Sequence, residues 1–248
     1  FTRFHRGYNR GPAAIIRHEL STGDERIVID DGEHDYVNVP GSCSDRSTNR
    51  IAFASDRTGE LEEIFTVNID GSNVRQVTTH TESRAYLEPV FSPNGRQIVF
   101  ESDAQADDED AQLGQIMVVN TDGSSLMSLT QASITIDDRL PNWSADGKIL
   151  FQRRVLVAGQ WQPWDVWVVE PNGDDWSEPR NISGEAASNS NETDNSWFPD
   201  GQRIVSSSDF GGLAHPKLWA FSLDGRAPVA LQAVDDAGEL PDILHVLA

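Results

Sequence analysis

Apolar residues fall in short runs that mostly alternate with polar ones, and no segment between them carries helical periodicity. Five of these runs end in a polar-Gly turn: IIRHELSTG at Gly23, IFTVNIDG at Gly71, IMVVNTDG at Gly123, VWVVEPNG at Gly173 and LWAFSLDG at Gly225. Their spacings are 48, 52, 50 and 52 residues. Gly takes a positive φ without steric penalty and Asn or Asp tolerates it, so each Asp-Gly or Asn-Gly pair reads as a tight hairpin turn. A second marker precedes each of the last four runs: SDRSTNRIAF, SPNGRQIVF, SADGKILF and FPDGQRIVS, headed by Cys43, Phe91, Trp143 and Trp197. A third follows the Gly turn as VRQVT, LMSLT and PRNIS. Each period therefore predicts four short strands joined by turns.

Four-stranded units at this period predict blades arranged around an axis. The segments before Gly23 and after Gly225 together make one more period. The expectation is an all-β chain, residues 1–248 forming a single five-bladed β-propeller of four-stranded antiparallel blades. Its N- and C-terminal strands share one blade, with PDILHVLA innermost and FTRFHR, AIIRHEL and RIVID outside it. Such closure leaves no free sheet edge.

Charge narrows the partners. Forty acidic residues against 19 basic give a formal net charge of −21, which repels nucleic acid and anionic membrane surfaces. No apolar run approaches the roughly 18 residues of a spanning helix, so membrane insertion is not expected. A lone cysteine, Cys43, excludes an intrachain disulfide and reads as a small buried thiol in an inner strand. A phosphate-binding Gly-rich loop and a GxSxG elbow are both absent.

The residues WSADG, SPNGRQIVF and WFPDGQRIV, with the paired NIDG and NTDG turns, resemble the TolB-like propeller repeat over about residues 38 to 232. Relatives carrying that repeat include periplasmic translocation proteins, peptidase propeller domains, polysaccharide lyases and sensors. The resemblance implies the fold and a periplasmic or extracellular location, and it leaves activity open.

Long, unequal loops are predicted at one end of the blades, where function concentrates. They bring forward His80, Tyr86, Glu88, Asp138, Arg139, Glu192 and Asp194 as rim residues. The loop SDAQADDEDAQLG holds Asp103, Asp107, Asp108 and Asp110, hard oxygen ligands without EF-hand spacing; it reads as a solvated acidic loop, with calcium binding as the alternative. No other cofactor is expected. RRVLVAGQWQPWDVW predicts an extended hairpin with Trp161 and Trp164 near its tip. An exposed indole stacks on a sugar face or a partner surface, or else folds back on its own protein. Two functions follow. The favoured one is a non-catalytic binding propeller that presents this face to a protein or glycan through Trp161, Trp164, Arg139, Tyr86 and His80. The alternative is a glycoside hydrolase or polysaccharide lyase using Glu88, Asp138, Glu192 and Asp194 as acid and base.

Overall fold

The computed structural model describes residues 1–7, 11–30, 36–45, 49–80, 83–104, 113–173, 175–184 and 189–231. Every regular element among them is a strand, and the chain divides into two compact units, Phe1–Ile134 and Thr135–Ala248. The Cys43 side chain and the segment PDILHVLA lie outside the described residues, although Cys43 itself belongs to a strand.

The first unit opens with an antiparallel sheet of β1 (Thr2–Phe4), β2 (Ala13–His18) and β3 (Glu25–Ile29). Two four-stranded repeats follow. One contains β4 (Asn38–Asp45), β5 (Arg50–Ser55), β6 (Glu63–Asn68) and β7 (Arg75–Gln76). The other contains β8 (Arg84–Phe91), β9 (Gln97–Ala104), β10 (Gln115–Asn120) and β11 (Met127–Ser128). Strands within each repeat are antiparallel neighbours in sequence order, while the two first strands meet in parallel at Cys43 and Val90. Successive side chains point to opposite faces, and in β5, β6, β9 and β10 both faces are buried. Phe53 stacks on Phe65 at 5.6 Å between centroids, and Phe91, Phe100, Ile98 and Val119 fill the layer beyond them.

The turns reproduce one another in detail. Asp70 accepts bonds from the Ser72 amide and hydroxyl, as Asp122 does from Ser124, and these bonds hold both carboxyls below their ordinary range. Glycine is required at their last position for two reasons. Gly71 and Gly123 have φ of 87° and 89°, and a Cβ there would stand 2.7 Å and 2.8 Å from the carbonyl oxygens of Val28 and Val77 in the preceding repeat. The hydroxyl ending each VRQVT-like marker also has a fixed task. Thr78 and Thr130 accept the amides of Ile64 and Ile116, each at 2.9 Å, and Ser183 accepts that of Val166 at 2.9 Å.

In the second unit the first repeat has β12 (Ile136–Trp143), β13 (Ile149–Val157), β14 (Gln160–Trp161), β15 (Asp165–Val169), β16 (Pro171–Asn172), β17 (Asp175–Trp176) and β18 (Arg180–Asn181). Its sheet order is β12-β13-β15-β18, with β14 folded back on the far end of β13. The turn at Gly173 does not join the third and fourth strands directly. It closes a separate ribbon of β16 and β17, held by the Glu170 amide donating to the Ser177 hydroxyl. The last repeat is β19 (Glu192–Trp197), β20 (Arg203–Ser208), β21 (Lys217–Ser222) and β22 (Val229–Ala230), in sequential order.

First strands share a bulge. The register shifts by one between Leu87 and Val90, between Arg139 and Asn142, and between Thr193 and Ser196. Inside these shifts Glu88, Leu140 and Asp194 take φ of 51°, 52° and 52°. A bulge re-aims the side chains before it. The residues two positions upstream, Tyr86, Asp138 and Glu192, are all buried and face Ser102, Arg153 and Ser208 across the ladder.

Candidate functional site

The second unit concentrates charge at the start of β12. Asp137 and Asp138 are fully buried, and the ladder sets them opposite Arg154 and Arg153. Adjacent strand positions point to opposite faces, so the two pairs lie on different sides of the sheet. On one side Arg153 donates from Nε at 2.6 Å and Nη2 at 2.8 Å to the two oxygens of Asp138. Its guanidinium also lies over Phe151 and Trp167, at 5.3 Å and 4.6 Å from their centroids. On the other side Asp137 accepts from Arg154 Nε and Nη2 at 3.0 Å and 2.8 Å, and from Arg139 Nε at 2.8 Å. Among the described residues three guanidiniums and two carboxylates meet in this cluster.

The predicted hairpin forms and folds onto this cluster. It turns at Ala158 and Gly159, both with positive φ, and β14 pairs Trp161 with Leu156. The Arg154 guanidinium lies 4.6 Å from the Trp161 ring centroid and 4.5 Å from that of Trp164. With Arg154 31% and Trp161 38% exposed, such cation–π contacts contribute roughly 0.5–1 kcal/mol each. The two indoles are thus tied to a buried carboxylate through one shared arginine. Trp161 still keeps 38% of its surface exposed, beside an exposed Val157. The arrangement can offer an aromatic face flanked by guanidinium donors, a surface suited to a sugar ring or a partner side chain.

At the root of the hairpin lies a second carboxyl group. Glu192 is fully buried, and one of its oxygens, Oε1, accepts both the Ser190 and the Ser208 hydroxyls at 2.8 Å. The other, Oε2, has no hydrogen-bond partner. Burial pushes this carboxyl up to about 7; the two hydroxyls oppose the shift and the nearby Asp165 carboxylate adds to it. Burial also raises Asp165, against the pull of its bonds from Asn181 (2.9 Å) and Ser183 (3.1 Å). Asp165 borders an open pocket of about 420 Å³ that it shares with Arg180, Asn181, Ser222 and Arg226.

The remaining predicted residues scatter over different environments. Tyr86 is buried in the first unit's core, 4.9 Å from Phe100 and edge-on to His80 at 6.2 Å. His80 is held by Glu63, whose carboxylate accepts the His80 amide at 2.6 Å and lies against Nδ1 of its ring. Glu88 is half-buried in the first unit's bulge, and burial raises its carboxyl above the ordinary range. Asp194 is exposed in the corresponding bulge of the second unit. Asp138 and Arg139 belong to the charge cluster above, and Trp161 and Trp164 stand on it. Of the acidic loop only Asp103 is described, at the end of β9 opposite Ala85; Asp107, Asp108 and Asp110 lie outside the described residues.

Sequence reasoning placed Asp137 on the rim beside Asp138 and Arg139, and passed over Arg153, Arg154 and Asp165 as site residues. A signal for the two arginines was present: Asp-Asp on one strand and Arg-Arg on its hairpin partner are complementary in antiparallel register.

No protein-family model matches the sequence, and no curated protein matches it. Among solved structures it is similar to TolB from Acinetobacter baumannii, with a TM-score of 0.64 and 21% identity over 88% of this chain and 48% of that one. It is also similar to a putative TolB from Agrobacterium tumefaciens, with a TM-score of 0.56 and 16% identity over 90% of each chain. The β-propeller domain of the Trilobed protease from Pyrococcus furiosus gives a TM-score of 0.56 at 14% identity, covering 93% of this chain and 66% of that one. The chain spans about half the length of the Acinetobacter TolB. At these identities the likeness establishes a TolB-like β-propeller fold, and the repeats of β4–β7, β8–β11 and β19–β22 are its four-stranded units.

Proposed function

We propose that this chain is a non-catalytic binding propeller that engages a glycan or protein partner through Trp161 and Trp164. The observation that carries the reading is the pair of indoles fixed on Arg154, itself anchored by buried Asp137. Binding is stronger when the contact surface is ordered beforehand, because less side-chain entropy is lost on association. Asp138 supports binding over turnover, since both its oxygens are committed to Arg153. Glu192 supports the same choice, as its carboxyl has no solvent-exposed surface from which to reach a substrate. The reading includes a five-bladed ring, with the three-stranded sheet β1–β3 belonging to one of its blades. It also places the protein in the periplasm or outside the cell, by likeness to TolB.

The test is isothermal titration against a panel of neutral and acidic oligosaccharides. Truncating a central aromatic anchor typically costs about 2 kcal/mol, so Trp161→Ala is expected to weaken the best ligand by roughly thirtyfold. Undiminished affinity in Trp161→Ala would remove the platform from the binding surface.

A further inference from the structure

The Glu192 carboxyl is placed unlike an ordinary buried ion. Both of its hydroxyl donors converge on Oε1, and Oε2 is enclosed without a partner. That pattern suits an uncharged carboxyl, because an ionised one leaves half its charge unsolvated in the core. The same residue fastens the tryptophan hairpin. Its amide donates to the Trp164 carbonyl at 2.8 Å, and the Trp164 amide donates to the Asn191 side chain at 3.2 Å. Asn191 in turn donates its amide to Asp209 at 2.7 Å.

The surroundings single out one charge. From β15 the Asp165 carboxylate is the nearby charge that acts on Glu192, and it accepts the Ser183 hydroxyl at 3.1 Å. From β12 and β13 the charged groups are Asp137, Asp138, Arg139, Arg153 and Arg154, which are paired with one another. On β20 Arg203 is paired with Asp200. Among the described residues no cation is paired with Glu192, and the neighbouring Asp165 borders a solvent pocket.

We propose that Glu192 is a proton-operated latch on the Trp161–Trp164 platform: uncharged, it stays in the core and holds the Trp164 backbone, and charged, it moves toward water and releases the hairpin. This rests on the binding reading above and assigns its regulation. The sign is fixed by where the proton sits. The folded state retains it up to about 7, whereas the unfolded chain gives it up near 4.5, so the latch is closed in mild acid and loosens as pH rises through neutrality.

The test is amide hydrogen exchange of the whole chain between pH 5 and 9, read at Glu192 and Trp164 and corrected for intrinsic base catalysis. One pH unit above the midpoint, protection at these two amides should have fallen about tenfold, with the core strands unchanged. Glu192→Gln should abolish the transition and keep the closed form. Ser208→Ala, which removes a donor to the charged form, should move the midpoint upward. A transition that persists unmoved in Glu192→Gln overturns the proposal, as does a folded wild-type chain with flat protection. If Glu192→Gln fails to fold, the Ser208→Ala midpoint decides, and an unmoved midpoint overturns the latch. Failure of the binding reading shows separately, as undiminished affinity in Trp161→Ala at a fixed pH of 6.

Discussion

Replacing Asp137 by Ala is expected to destabilise the second unit by about 2–3 kcal/mol, because two guanidiniums then lose their shared charge-assisted acceptor. Asp137 is wholly buried, while the Arg139 and Arg154 side chains that hold it keep 26% and 31% of their surface exposed. The effect should travel further than the pair. Arg154 is the contact through which Trp161 and Trp164 are held, and its release frees both indoles. Urea denaturation followed by tryptophan fluorescence reads both consequences: a lower midpoint, and an emission shift already visible before unfolding. Asp137→Asn keeps the shape and some acceptor capacity and should fall between wild type and Ala. A loss below about 1 kcal/mol, the level of an exposed ion pair, would contradict the role given to this carboxylate.

Gly41→Ala should be among the most damaging single changes in the first unit. A Cβ at this position would lie 1.4 Å from the carbonyl oxygen of Pro89. The obstructing atom is backbone, so no side-chain rotation relieves the clash and β4 must move away from β8. Their parallel contact at Cys43 and Val90 is the join between the two repeats of that sheet. Overpacking usually destabilises by about 1–3 kcal/mol through side-chain and backbone shifts, and the expectation here is at the top of that range or beyond it. Calorimetry should show a transition lowered by several degrees or lost. A transition at the wild-type temperature would mean that the two strands are not so closely packed.

The repeats were legible in the sequence because two local signals coincide: short apolar runs that become buried strands and Asp-Gly pairs that a positive φ requires. The strands of FTRFHR, AIIRHEL and RIVID were found where those runs placed them. At Gly173 the same turn signal was right about the bend and misleading about its neighbours, since Pro171 and Trp176 pair in a ribbon of their own. The site was harder to see. Counting back from the SADG turn pairs Asp138 with Arg154, and only the one-residue bulge between Arg139 and Asn142 moves Asp138 to Arg153 and Asp137 to Arg154. That bulge depends on Leu140 taking a φ of 52°, a conformation leucine seldom adopts and no local pattern announces. Tyr86 and Glu192, read as rim residues, are buried and each stands just ahead of an equivalent bulge.

Binding through the proposed tryptophan platform without turnover is checked by incubating the protein for a prolonged period with the oligosaccharide it binds best, and following that ligand by mass spectrometry. A non-catalytic binder returns the oligosaccharide intact. Cleaved or eliminated product, formed by the wild-type chain and lost in Glu192→Gln, would contradict that reading and make the buried carboxyl a catalytic group.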